Sequence, residues 1–292
     1  MARRKPPVTH GLAVVDKPAG VTSHDVVAQL RRRFDERQVG HAGTLDPDAT
    51  GVLLVGVGKA TKLLRFLTAL GKSYTGQVRL GVTTDTLDSA GSVTATFEMG
   101  GVSVEDARRL AAAHLTGPIM QVPPMVSALK LNGTRLHELA RQGIEVEREA
   151  RPVTVHRFEI NPTDDPLVLA IEVQCSSGTY VRSLADDLGR LLGGGGHLHG
   201  LRRTAVGSFT ATEAAPPDLA PLLTPAEAMR DYPRLVAEPA TAALIRTGRV
   251  LPAQAFPGDG PWAVVDESGS LLAMYERFDA DTVKPAVMVA TD

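Results

Sequence analysis

Asp46 stands in the segment Gly40-His41-Ala42-Gly43-Thr44-Leu45-Asp46-Pro47-Asp48-Ala49-Thr50-Gly51, where the chain's chemistry is most concentrated. The proline that follows pushes Asp46 out of the helical region, so the carboxylate is displayed from a fixed backbone position. A carboxylate held that way can serve as nucleophile or general base and leave the cycle unchanged. Loops anchored on a rigid scaffold are where such groups usually sit. The same pattern also suits an Asx turn, in which Asp46 merely bonds its own backbone. The loop alone leaves both readings open.

Four other features carry possible chemistry. Val55-Gly56-Val57-Gly58-Lys59-Ala60-Thr61 invites comparison with a phosphate loop, but Leu53 stands where the first glycine is required and Ala60 replaces the Ser/Thr. Nucleotide hydrolysis is therefore not expected. His197 and His199, one residue apart in a glycine-rich stretch, have no Cys, Asp or Glu close by and read as ordinary loop histidines rather than metal ligands. Tyr74, taken alone, is a core aromatic. Arg182 opens a helix, where an arginine is either a surface residue or the partner of an acid.

The elements that must position these residues follow from periodicity. Residues 11–15 read as a short strand ending at Asp16-Lys17-Pro18-Ala19-Gly20. A helix follows, capped by Thr22 or Ser23, with Val26, Val27, Leu30 and Phe34 on one face. Gly40 to Pro47 is a loop, and Val52 to Val57 an apolar run short enough for a buried strand. Lys59 to Leu70 has helical spacing, with Leu63, Leu64 and Leu67 inward and Gly71 as its stop. From Ser73 the period becomes two, placing Tyr74, Gly76, Val78 and Leu80 on one face. Ser103 with Asp106 caps a helix running to Leu115, and Thr134 to Gln142 forms another. Val153 to Ile160 and Leu167 to Cys175 are strands, the second with a wholly apolar face. Thr179 to Leu192 is a helix, Gly193–Gly196 a hinge, and the last strand runs from Arg202 to Phe209. The Ala/Pro-rich residues 211–230 look like a boundary. Beyond them, Leu244 to Val289 shows short strands with Gly/Pro turns.

Strands and helices do not alternate regularly. That predicts an α+β fold: a mixed, largely antiparallel sheet with flanking helices, plus a small β-rich C-terminal domain. The 292 residues divide into a large domain, 1–230, and a small one, 231–292. No apolar run reaches membrane-spanning length, and the basic N-terminus lacks the apolar stretch of a secretory signal. Cys175 is the only cysteine, which excludes an intrachain disulfide and suits a reducing cytoplasm. Net charge is −2, yet residues 1–80 hold 13 Lys/Arg against 6 Asp/Glu. A basic lobe on a neutral chain fits a polyanion touching one face, or a surface whose counter-charges fold back from elsewhere.

Taken together, the motifs resemble the bacterial tRNA pseudouridine-55 synthases of the TruB type. The resemblance covers residues 11 to 210 and runs in order through Asp16-Lys17-Pro18-Ala19-Gly20 with Thr22-Ser23, the Gly40–Gly51 segment, and Lys72-Ser73-Tyr74. It continues through Gln121-Val122-Pro123-Pro124 with Ser127-Ala128-Leu129-Lys130, and Arg141-Gln142-Gly143-Ile144. Cys175-Ser176-Ser177-Gly178-Thr179-Tyr180-Val181-Arg182 and Leu201-Arg202-Arg203-Thr204-Ala205-Val206-Gly207 close it.

The resemblance implies that Asp46 is the catalytic aspartate and that Arg182 pairs with it. It implies that His41 helps accommodate a flipped nucleotide, that Tyr74 stacks on the target base, and that Tyr180 and Leu201 complete the base pocket. Residues 231–292 become a PUA-type RNA-binding module, though they are acidic and carry no sharp signature. The implied activity is conversion of uridine to pseudouridine at position 55 in the T arm of tRNA. No cofactor, metal, guide RNA or obligate protein partner is expected, and a cytoplasmic monomer is. The five basic residues between Val52 and Leu80, with Arg202 and Arg203, are candidate phosphate contacts. The alternatives are an RNA-binding or tRNA-folding module, or a synthase acting on another RNA.

Overall fold

The computed structural model describes residues 8–127, 129–131 and 133–289. The basic residues Arg3, Arg4 and Lys5, and Ala128 of the Ser127–Lys130 motif, lie outside them. The first strands are β1 (Gly11–Lys17), β2 (Val39–His41), β3 (Thr50–Val57) and β4 (Lys72–Leu80). A two-stranded ribbon, β5 (Val82–Thr84) and β6 (Val93–Thr96), is followed by β7 (Gly117–Gln121) and a small hairpin, β8 (Lys130–Leu131) and β9 (Thr134–Arg135). Next come β10 (Arg151–Pro162), β11 (Val168–Cys175), β12 (Gly196–Val206), β13 (Phe209–Thr210) and β14 (Leu222–Leu223). A second sheet holds β15 (Arg234–Val236), β16 (Leu251–Pro252), β17 (Trp262–Val265), β18 (Leu271–Arg277) and β19 (Thr282–Met288).

The main sheet has ten strands, its long path running β14-β1-β3-β12-β4-β11-β10-β7. Every pairing in it is antiparallel except β12 with β3, so the sheet is mixed and largely antiparallel, as the irregular element order predicts. That one parallel contact, Arg202↔Thr50 and Arg203↔Gly51, joins the two halves of the sheet at the site. It needs Gly51: at φ +100° a side chain is strained, and a Cβ would lie 2.2 Å from the Arg203 carbonyl oxygen.

Helices pack on the sheet. α1 (Ser23–Arg33) begins with a capping box between Thr22 and Asp25, and buries Val26, Val27 and Leu30 against β1 and β3. α3 (Val104–His114) and α5 (Val181–Leu191) pack Ala107, Ala111, Leu184 and Leu188 against Val155, Ile171 and Val173. The second sheet packs Ala263, Val265, Leu271, Met274 and Val289 against Leu12, Val14, Val52, Leu54, Phe66 and Leu67.

Several expectations are corrected. The last strand starts at Gly196, not Arg202, so His197 and His199 lie on β12. There the buried His197 bonds the Val82 carbonyl through Nδ1 at 2.9 Å. The 134–142 helix is shorter, because Thr134 and Arg135 pair with β8 and leave Leu136–Arg141 as α4. Residues 59–70 split into a 3-10 turn (Gly58–Leu63) and α2 (Leu64–Ala69). The 40–47 loop lends Gly40 and His41 to β2, which pairs with β3. Residues 211–230, expected as a boundary, are tied to the main sheet: Leu222 and Leu223 pair with β1, and Ala215 bonds to Asp16 and Val14. Helix α6 (Pro239–Arg246) occupies ground where strands were expected to begin.

Candidate active site

Three buried side chains fix the loop that carries Asp46. The ammonium of Lys17, fully buried on β1, donates to the carbonyls of Pro18 (2.9 Å), Val21 (2.7 Å) and Pro47 (2.9 Å). Ser23, at the start of α1, donates its hydroxyl to the Leu45 carbonyl (3.1 Å) and accepts from the Leu45 amide (2.9 Å). Arg203, on β12, donates from Nη2 to the Gly43 carbonyl (3.0 Å) and from Nε to the Val52 carbonyl (2.7 Å). Leu45 and Ala49 anchor the loop in the core beneath. Among the described residues no backbone amide bonds the Asp46 carboxylate: the Ala49 amide goes to the Asp46 carbonyl instead (3.1 Å). The Asx-turn reading fails here.

The carboxylate turns to Arg182. Arg182 Nε lies 3.2 Å from Asp46 Oδ2 and 3.6 Å from Asp88 Oδ2. Its Nη1 donates to the Thr86 carbonyl and its Nη2 to the Val126 carbonyl, each at 2.8 Å. Only 6% of its side chain is exposed, so this helix-start arginine is an acid's partner, not a surface residue. Burial pushes the Asp46 carboxyl above its usual range, Arg182 pulls it back, and Asp88 adds to the rise. The net direction is upward: burial outweighs the pull of the arginine. Even so, 44% of the Asp46 side chain faces open space, through the mouth of the site.

Asp46, Arg182 and Leu201 form the partition between two cavities. The larger, of about 260 Å³, is also lined by Tyr74, Tyr180, Lys72 and Arg203. The smaller, of about 170 Å³, is lined by Asp48, Thr86, Asp88 and Ser89. Strand register explains the first. Tyr74 lies opposite Arg203, and Gly76 opposite Leu201, so β4 and β12 present all of them on one face. Gly76 has to be glycine, because a Cβ there would come within 2.7 Å of the Gly200 carbonyl oxygen. The Tyr74 phenol is raised by burial and hydrogen-bonds Arg203. Tyr180 caps α5; its amide and carbonyl both bond the side chain of buried Gln121, at 2.8 and 3.1 Å.

Of the six residues singled out from sequence, five surround one cavity: Asp46, Tyr74, Tyr180, Arg182 and Leu201. His41 lines neither cavity. It stands edge-on to His24 with ring centroids 5.4 Å apart. Burial, then the charges of His24 and Arg203, lower its pKa to about 4. Sequence reasoning missed Asp88, Gln121, Lys17 and Ser23 as individual actors. Asp88 sits in the turn-rich Asp85-Thr86-Leu87-Asp88-Ser89-Ala90-Gly91 run, which was the available signal.

The phosphate-contact expectation needs correction too. Arg65 pairs with Glu276 (3.1 Å), Arg79 with Asp165 (2.6 Å) and Arg202 with Asp16 (2.9 Å), while Lys62 donates to the Met288 carbonyl (3.2 Å). Lys72 and Arg203 are buried. Within residues 1–80, counter-charges from distant segments meet Arg65 and Arg79. Among the described residues no three His, Cys, Asp or Glu side chains form a metal-binding group, and no helix is long and apolar enough to cross a membrane.

Comparison with known proteins places this geometry. Residues 31–181 match the model of the TruB family pseudouridylate synthase N-terminal domain, and residues 182–240 that of the tRNA pseudouridylate synthase B C-terminal domain. The chain is 49% identical over 280 residues to the tRNA pseudouridine synthase B of Corynebacterium aurimucosum, covering 91% of this chain and 92% of that one. It is 45% identical over 287 residues to the Mycobacterium tuberculosis protein of that name, covering 95% of each. Among solved structures, the crystal structure of a Cbf5-Nop10-Gar1 complex shares the fold, with a TM-score of 0.74 at 22% identity over 96% of this chain and 85% of that one. An acid loop riveted from three sides, an arginine aimed at it and this breadth of sequence identity lead to one conclusion: the chain belongs to the TruB family of pseudouridylate synthases.

Proposed function

We propose that this chain converts uridine to pseudouridine at position 55 in the T arm of tRNA, with Asp46 as its catalytic group. The reaction cuts the link from N1 to ribose, turns the base and rejoins it through C5. It is an isomerisation, so its balance calls for no redox partner or nucleotide cofactor. The observation that carries the reading is the Asp46–Arg182 pair, 3.2 Å apart, opening onto a cavity walled by Tyr74, Tyr180 and Leu201. Taking a base out of its stack costs a few kcal/mol. Stacking on an aromatic returns about 1–3 kcal/mol, a role that suits Tyr74. Tyr180 and Leu201 enclose the detached base, and Arg182 aims the carboxylate. His41, behind the loop, supports the flipped nucleotide's neighbourhood rather than the base itself.

Residues 1–230 act as the catalytic domain and residues 231–292 as a PUA-like module gripping RNA. The protein works in the cytoplasm as a monomer, without a guide RNA. Purified protein alone should release tritium from tRNA carrying 5-tritiated uridine. Asp46→Asn should bind that tRNA nearly as well yet release none. A wild-type protein that binds tRNA without releasing tritium would instead be an RNA-folding module.

A further inference from the structure

Two buried cations in the larger cavity have no acid to answer them. Lys72 is 8% exposed and Arg203 1%; burial, and then the charge of nearby Arg203, lower the lysine's pKa to about 8. Among the described residues neither forms an ion pair. Buried charges are normally paired, because an uncompensated one costs several kcal/mol. The carboxylate that shares the cavity, Asp46, is already committed to Arg182. The missing negative charge is therefore one that arrives with the substrate.

RNA brings negative charge in two forms, its phosphates and, during this reaction, the base itself. The geometry favours the base. Arg203 spends Nε on Val52 and Nη2 on Gly43, so it has no free fork for a phosphate. Lys72 spends two of its three N–H donors on the carbonyls of Thr68 (2.5 Å) and Leu70 (2.6 Å), leaving one. Aromatic Tyr74 and apolar Leu201 line the same space and suit a flat pyrimidine.

We propose that Lys72 and Arg203 form a cationic floor that stabilises the uracil anion and keeps it in the cavity while it turns. The inference rests on the pseudouridine-forming reading given above. When the C1′–N1 bond breaks, its electron pair stays on N1 and spreads over O2 and O4. C1′ is meanwhile satisfied by an Asp46 carboxylate oxygen, or by loss of the C2′ proton to Asp46. After rotation C5 bonds to C1′, Asp46 leaves or returns its proton, the C5 proton departs to water, and N1 takes up a proton. Atoms and charge balance, and the anion exists only between the two bond changes. A fixed positive field at that point lowers the barrier without needing to move.

The test compares the full-length wild type with Lys72→Met and Lys72→Arg on a tRNA substrate. Three readouts are followed: tRNA affinity, single-turnover pseudouridine formation, and free uracil with its matching abasic site. Lys72→Met should keep its tRNA affinity, slow product formation by roughly 10- to 100-fold, and leak free uracil. Lys72→Arg should recover most of the rate and stop the leak. A merely structural lysine would not make uracil escape. Wild-type turnover by Lys72→Met without leakage overturns the proposal. So does a loss of tRNA affinity with a flatter salt dependence, which marks a phosphate contact. A wild type that makes no pseudouridine refutes the underlying reading instead. Should Lys72→Met unfold, the wild type answers alone: barbiturate, anionic at neutral pH, should compete with a hairpin substrate at least roughly tenfold better than neutral uracil, in line with charge-selective binding. Equal or absent competition by barbiturate overturns the idea.

Discussion

Single residues in the site are tuned by burial more than by their charged neighbours. His41 shows this most simply. Its pKa falls from 6.5 to about 4 because the folded ring is desolvated and stands beside His24 and Arg203. Above pH 6.5 the imidazole is neutral in both folded and unfolded chains, so it imposes no penalty. Between 6.5 and about 4 the unfolded chain binds the proton and the folded one refuses it, so stability falls as pH falls. Below that window both states are protonated and the loss levels off. The whole pKa gap corresponds to about 3.4 kcal/mol, of which roughly 2–3 kcal/mol is lost by pH 4.5. Urea unfolding at pH 7 and at pH 4.5 should show that loss in the wild type and a smaller one in His41→Gln. Equal losses in the two proteins would assign the acid sensitivity elsewhere.

At the scale of elements, the site is a set of joints rather than a single loop. Lys17 ties the end of β1 to the turn before α1 and to the acid-bearing loop, through three carbonyls. Lys17→Met keeps the stem but removes the one donor that those three part-buried carbonyls share. Each unsatisfied group costs about 1–3 kcal/mol, though relaxation recovers part of it. A drop of about 2–4 kcal/mol in unfolding free energy is expected, with a larger fractional loss of pseudouridine formation than of tRNA binding. A variant as stable as the wild type would mean that the loop holds itself. These joints also mark what was legible in sequence. The proline after Asp46, the Thr22 cap and the two-residue period of β4 each report a local preference, and each element formed. What local rules do not encode is pairing at long range. That Arg203 crosses to Gly43, or Gln121 to Tyr180, depends on strand register over 160 and 59 residues of chain. Nor do local rules show that the 211–230 stretch, read as a boundary, has its backbone tied to β1. They also read Arg79 and Arg202 as free for RNA when Asp165 and Asp16 meet them.

For the whole molecule, the decisive feature is the apolar layer between the two sheets. Met274, Val265 and Ala263 of the second sheet share one core with Leu12 and Val14 of β1 and with Val52 and Leu54 of β3, the strand that follows the acid loop. Tyr232 reinforces the junction by donating to the Phe66 carbonyl at 2.8 Å, and Arg65 pairs with Glu276 across it. The exposed ion pair is worth little; the buried apolar side chains are worth far more, at about 25 cal/mol for each Å² removed from water. The C-terminal sheet therefore stabilises the catalytic strands whether or not it touches RNA. Met274→Ala, at a fully buried position, should cost about 2–5 kcal/mol. A chain ending at residue 230 should expose the whole layer, bind a hydrophobic dye, aggregate, and make no pseudouridine. If the small module only gripped RNA, that fragment would instead melt cooperatively as a soluble monomer, and its activity would return at high tRNA concentration.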